Sequence, residues 1–274
     1  MTTDTSTIEA SVSNVLQAVL KDTTDEIFAV GLREDATKNL IEILDELADP
    51  PTVQIFTEEA VLKWVRDDFL LASTAANLKT DGKLSWRTTD EPVRSTLIVT
   101  ENSVISVVPA GKRTAGLLTD DTEFVESARS KWTEEWGEAE NFDLRTPPRT
   151  QVYESLAEEI GSETETDFRT MLDSLDTARG DLDEVGTTLL AAAKNEIQLY
   201  EISRWGEEVG LASKATFSRK KNSLEEHGLI DTEKVPIDVG RPRLRLALGD
   251  QQLREADTEK LPSEAQELLS KNPT

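Results

Sequence analysis

Cysteine is absent from the 274 residues, and histidine occurs once, at His227. Disulfides, thiolate zinc sites and thiol nucleophiles are therefore excluded, as are histidine-based triads and multi-histidine metal sites. Long apolar runs are missing too. No stretch approaches the roughly 18 to 20 apolar residues that span a bilayer, and the opening MTTDTSTIEA has neither the cationic start nor the apolar core of a signal peptide. These absences predict a soluble cytoplasmic protein with no cofactor, no metal and no membrane partner. Cations are scarce as well: 30 Lys plus Arg stand against 54 Asp plus Glu, a net charge of −24. At molar salt the Debye length shrinks to about 3 Å and screens the self-repulsion of such a surface, so the composition predicts a halophilic source.

What is present suffices for folded domains. Hydrophobic residues make up 37% of the chain, so its acidity does not imply disorder, and its length fits two cores. The two prolines of LRTPPRTQ, residues 144–151, disfavour continuation of either flanking element and mark a boundary. The expected division is an α/β domain over 1–146, a helical linker and second domain over 151–250, and an acidic tail over 251–274. In the first part DEIFAVGL (25–32) and PTVQIFT (51–57) read as buried strands, and 33–49 as an amphipathic helix. Residues 58–79 have helical periodicity through Val61, Leu62, Val65, Phe69 and Leu70. STLIVTENSVISVVPAG (95–111) reads as a hairpin turning through Thr100, Glu101 and Asn102, and a last helix runs through Phe124, Val125, Ala128 and Trp132.

Beyond the boundary the chain becomes helical at about 151–160, 165–177 and 183–195, an apolar surface that suggests pairing into a homodimer. LYEISRWGEEVG (199–210) spaces Leu199, Ile202, Trp205, Gly206 and Val209 along one helical face and ends at Gly210, a natural cap. After the turn LAS, Ser213 is a good N-cap for a helix that buries Phe217 and Leu224 seven residues apart. Gly228 stops that helix, LIDTEKV (229–235) reads as a strand, and GRPRLRLAL (240–248) as its partner. Helix, turn, helix and a hairpin with a basic tip make the winged helix-turn-helix plan. The fold class expected is thus an α/β amino-terminal domain plus a mainly α winged helix-turn-helix carboxy-terminal domain. Charge follows the same division: residues 199–247 carry a net +1, and the remainder of the chain −25.

Residues 185–247 resemble the winged-helix DNA-binding domains of prokaryotic transcription regulators, and the GRPR tip resembles the wing of archaeal members. An acidic α/β domain followed by a winged helix is similar to the haloarchaeal TbsP-like regulator family. The resemblance implies a sequence-specific regulator of promoter DNA, associated with control of central carbon metabolism. It puts Ser213, Lys214, Thr216, Ser218, Arg219, Lys220 and Asn222 on the helix that approaches the major groove, with Arg219 the expected reader of guanine. Arg241 and Arg243 belong to the wing, against a phosphate ridge or in a minor groove. Lys221 departs from the pattern, because an aliphatic residue commonly packs between the equivalents of Phe217 and Leu224. Either its stem lines the core with the ammonium reaching out, or the helix is rotated by about one position.

Other features carry less. His227 suits a helix C-terminus on dipole grounds, and the five tryptophans read as core or interface. Gly31 opens no dinucleotide or P-loop pattern. The order of elements through 95–111 is similar to the half-domains of phospholipase D-like proteins, but RST (94–96) stands near the place of their catalytic histidine-and-lysine motif, which implies a noncatalytic scaffold. Arg33, Arg94, Lys112 and Arg113 are rare cations in the acidic domain, and candidates for binding a small anionic metabolite. The rival reading is a winged helix used for protein contact. An enzyme ranks third.

Overall fold

The computed structural model describes residues 7–9, 11–23, 25–89, 93, 95–111, 113–175, 182–236 and 242–271. It divides the chain into two compact units, Met1–Pro148 and Arg149–Thr274. The first unit opens with β1 (Thr7–Glu9) and α1 (Val12–Asp22), followed by β2 (Ile27–Val30), α2 (Glu34–Glu46) and β3 (Val53–Thr57). Two helices, α3 (Glu59–Arg66) and α4 (Phe69–Thr80), lead to β4 (Leu84–Thr88). The meander β5 (Thr96–Val99), β6 (Val104–Ala110) and β7 (Arg113–Thr119) precedes α5 (Thr122–Glu138) and the short β8 (Glu140–Asn141). All eight strands join one mixed sheet, ordered β1-β7-β6-β5-β2-β3-β4-β8, in which β2, β3 and β4 run parallel.

The two faces of this sheet are covered unequally. On one face α1 to α4 bury a large core that includes Leu16, Leu40, Leu62 and Ala72 over Ile27, Ile55, Leu84 and Ile105. On the other, Val125 and Trp132 of α5 pack over Phe28, Val30, Phe56, Val99 and Val104. Central strand β2 is therefore buried on both faces along its whole length, which is why its sequence is a continuous apolar run rather than an alternation.

The expected strands and the hairpin form close to their predicted limits. Thr100 fixes the β5–β6 turn: its hydroxyl accepts the amides of Asn102 at 3.3 Å and Ser103 at 2.9 Å. In this unit two expectations need correction. The single helix over 58–79 is two helices, because Asp68 starts a new one by accepting the Leu71 amide at 3.1 Å. Phe124, counted in the inward stripe of the last helix, is 55% exposed, because α5 turns Val125 and Trp132 to the sheet instead.

In the second unit α6 (Arg149–Glu159), α7 (Ser162–Ser174) and α8 (Glu184–Lys194) are followed by α9 (Leu199–Glu208) and α10 (Lys214–Glu226). Strands β9 (Ile230–Val235) and β10 (Arg243–Leu248) form an antiparallel hairpin, and α11 (Gln251–Glu255) and α12 (Leu261–Lys271) complete the unit. The apolar surface of residues 151–195 is consumed here: Val152, Leu156, Phe168, Met171, Leu189 and Leu190 are buried inside the unit. It is not a free face for pairing. Residues 251–271, expected as part of a tail, bury Leu253, Leu261 and Ala265, so they belong to the core of the same unit. Asp167 on α7 helps to hold this end, accepting from the Lys194 ammonium at 2.6 Å, the Asn195 amide at 2.7 Å and the Thr258 hydroxyl at 3.1 Å.

Candidate nucleic-acid interface

Helix α9 supports and α10 presents. The support ends at Gly210, in the left-handed region with φ +84°, and the amides of Leu211 and Ala212 return to the Gly206 carbonyl at 2.8 and 3.2 Å. A residue with a Cβ is strained at Gly210, whereas Gly206 is required by space: a Cβ there would overlap the Phe217 ring of α10. The two helices cross at this contact, with Trp205, Ile202 and Phe217 fully buried around it. From the far side, the Trp205 indole donates to the Ser155 hydroxyl of α6 at 3.0 Å.

Ser213 is the N-cap, its hydroxyl accepting the Thr216 amide at 3.2 Å. Lys214 begins α10 and pairs with Glu207 of α9 at 2.9 Å, while its amide donates to the same carboxylate at 3.3 Å. Through the Lys214 side-chain hydrogen bond, the ammonium is held above its ordinary pKa and the carboxyl of Glu207 below its own. The Arg219 guanidinium donates to the Thr216 hydroxyl at 3.3 Å. Ser218, Arg219 and Asn222 are exposed and Thr216 half-buried, all on the side away from Phe217 and Leu224. Lys220 differs: it turns to α8, with its ammonium 3.0 Å from Asp183. Ala215 and Glu226 are exposed on the presented side as well. Nothing in their chemistry singled them out, since neither brings a cation or an amide; only the register of the helix does.

That register is fixed by Lys221. It is buried, 7% exposed, between Phe217 and Leu224, and its ammonium reaches Glu225 at 2.7 Å. The other oxygen of Glu225 accepts the Thr232 hydroxyl of β9, also at 2.7 Å. Hydrogen bonds from Lys221 first and Thr232 second hold the Glu225 carboxyl below the ordinary carboxylate range. The stem thus lines the core, and the helix keeps the unrotated setting.

The hairpin pairs Val235 with Arg243 at its outer end and Ile230 with Leu248 at its inner end. Arg241 lies outside the described residues. Arg243 folds back: its guanidinium stacks 4.4 Å over the Tyr200 ring and donates to the Gln198 side chain at 3.4 Å. Arg245 sits between Glu196 at 4.0 Å and Glu233 at 3.8 Å, exposed pairs of small energetic consequence. The hairpin base joins the segment before α9 through a bridge from Gln198 to Arg245 and a 3.0 Å bond from the Leu246 amide to the Ile197 carbonyl. His227 caps α10, its ring nitrogen 2.7 Å from the Ser223 carbonyl.

Of the four candidate effector cations, only Arg33 and Arg113 are described, and the two lie on different elements, Arg33 just before α2 and Arg113 in β7. Arg94 and Lys112 lie outside the described residues. Arg33 is exposed beside a cavity of about 440 Å³ that is also lined by Glu34, Asp35 and Glu58. Arg113 begins β7, three strands away from β2 in the sheet order. Among the described residues no group of three or more histidine or carboxylate side chains could hold a metal ion, and no helix is long and apolar enough to cross a membrane.

A supporting helix, a tight glycine turn, a presented helix and an antiparallel wing define a winged helix-turn-helix protein. Family comparison matches residues 148–266 to the carboxy-terminal helix-turn-helix domain of TbsP-like transcriptional regulators and residues 4–147 to their amino-terminal domain. The chain belongs to this family of TbsP-like transcriptional regulators. No curated protein matches it.

Similar solved structures include TrmBL2, an archaeal chromatin protein with a novel mode of DNA binding, at 14% identity and a TM-score of 0.37 over 52% of this chain and 56% of that one. The chain therefore spans little more than half of that protein. Nuc from Salmonella typhimurium, a phospholipase D family member, matches at 14% identity and a TM-score of 0.37, over 50% of this chain and 97% of that one. NucT from Helicobacter pylori matches at 11% and 0.34, over 50% and 98%.

Proposed function

We propose that this regulator binds promoter DNA sequence-specifically as a homodimer, with α10 in the major groove and the wing on the adjacent backbone. The observation that carries the proposal is the setting of α10, whose acid-poor outer side bears Thr216, Ser218, Arg219 and Asn222 while Phe217, Lys221 and Leu224 are buried. Arginine reads the O6 and N7 of guanine with two bonds, asparagine reads adenine, and the Ala215 methyl suits the methyl of thymine. Ser213, Lys214 and the wing arginines Arg241 and Arg243 serve the phosphates. Lys220 acts through its hold on α8 rather than through a base.

Working salt shapes the affinity. Phosphate neutralisation weakens steeply as salt rises, and the charge of −24 supports a halophilic, cytoplasmic setting. Base-edge bonds and buried area then carry more of the binding than ion pairs do. Control of central carbon metabolism genes is the regulatory role to which the family resemblance points. The three carboxylates around Arg33 give an anionic effector little support. In vitro selection from a randomised duplex pool at working salt tests the reading. A defined consensus that loses one guanine preference in Arg219→Ala supports it; no enrichment by the folded protein refutes it and favours a protein-contact role for the winged helix.

A further inference from the structure

We propose that the homodimer forms through the α5-side face of the β6–β7 hairpin, packed against the same face of a second copy. The inference deepens the dimer part of the proposed function and rests on it, although it does not depend on DNA. In a chain with 54 carboxylate residues, the longest run without one is residues 102–119, which spans β6 and β7; the second longest, 209–224, contains the presented helix α10. A protein that covers its solvent face with acids leaves them out where a surface is covered. The second run has a use in the DNA reading, and the first has none.

This face is apolar and open. The register pairs Val108 with Ala115 and Ser106 with Leu117, which puts Val108 and Leu117 on the side of Val104 and α5. Yet α5 does not cover them: Val108 is 40% and Leu117 51% exposed, as is Phe124, at 55%, in the first turn of α5. Val108 and Leu117 are diagonal neighbours in the β6–β7 register, and exposed apolar neighbours of this kind mark an association surface.

Charge selects the occupant. Strand β7 runs from Arg113 at its start to Asp120 and Asp121 just beyond its end, all three exposed, so the patch is cationic at one end and anionic at the other. Both edges of β7 are already paired, to β1 and β6, so the copies meet face to face and not by strand addition. In an isologous contact the same surface meets itself about a two-fold axis. With the two β7 strands antiparallel and the axis near Leu117, Arg113 of each copy faces Asp120 of the other; a parallel arrangement would oppose like charges. A foreign partner has no reason to match this polarity, whereas a second copy matches it by symmetry.

Light scattering of the full chain at 0.2 M and at about 2 M KCl, where screening differs by several-fold in length, tests the surface. The expected result is a dimer at both. Leu117→Glu, an exposed position that tolerates the change in the folded monomer, should raise the dissociation constant at least tenfold at both salts. Arg113→Asp should weaken the dimer mainly at low salt, and Arg113→Asp combined with Asp120→Arg should restore it. In a chain without cysteine, Leu117→Cys should give a cross-linked pair with a short bismaleimide, and Tyr200→Cys, comparably exposed, should not. A monomeric wild type overturns both the dimer and this surface. A dimer that is indifferent to Leu117→Glu and does not cross-link at position 117 overturns the surface alone.

Discussion

Lys221 is the residue on which the setting of α10 depends. A lysine this buried is tolerated because its ammonium has a carboxylate partner, and that partner also grips the wing through Thr232. Replacing the lysine by a long apolar residue removes the need for the partner, whereas removing the partner leaves a charge stranded. Lys221→Met should therefore change stability by less than about 1 kcal/mol, and Glu225→Leu should cost on the order of 2 kcal/mol, less than for a fully buried pair because Glu225 is partly solvated. Denaturant unfolding of the two variants checks the order. The pH dependence has a defined sign: the Glu225 carboxyl is depressed from 4.5, so its contribution is complete above that value and is lost as pH falls through the lower folded value. Wild type should lose more stability in this acid window than Glu225→Gln. Gly206 gives a second test, since a methyl there must displace the Phe217 ring; Gly206→Ala should cost about 1–3 kcal/mol, seen as a lower Tm.

At the scale of elements, the proposed DNA reading gives the residues of α10 two kinds of work, and their variants should differ in kind. Arg219→Ala should cost about 1–3 kcal/mol at its preferred base pair and relax specificity there. Lys214→Ala should weaken binding to all duplexes alike and lower the salt slope by about one, as titrations at several KCl concentrations would show. These elements were legible in the sequence because their three-and-four spacing, N-cap and stop glycine agree, and Phe217 and Leu224 mark the buried side of α10. Strand β7 was not legible. It turns small residues, Thr114 and Gly116, to the core and leaves Leu117 exposed, which inverts the pattern by which strands are recognised. Helix α5 misled at Phe124 for a related reason, because an apolar residue on an uncovered face looks like core. The break at Asp68 was hidden by continuous apolar periodicity on both sides of one capping carboxylate. The fold of Arg243 onto Tyr200 joins residues 43 positions apart, beyond the reach of any local pattern.

For the whole molecule, the distribution of acids is the organising feature. The two longest stretches without a carboxylate are residues 102–119, which span β6 and β7, and residues 209–224, which contain most of α10, and the two proposed contacts use these stretches. A net charge of −24 also predicts salt-dependent stability: Tm should rise between 0.2 and 2 M KCl as repulsion is screened. The central claim, that the positive helix in an acidic protein serves to read promoter DNA, is tested most directly by chromatin immunoprecipitation with sequencing in the native host, comparing wild type with the Arg219→Ala, Asn222→Ala double variant. Discrete promoter peaks that share a motif, and vanish in an equally abundant variant, are the predicted result. A folded wild type with no peaks under several carbon sources, or peaks that the variant retains unchanged, would contradict it.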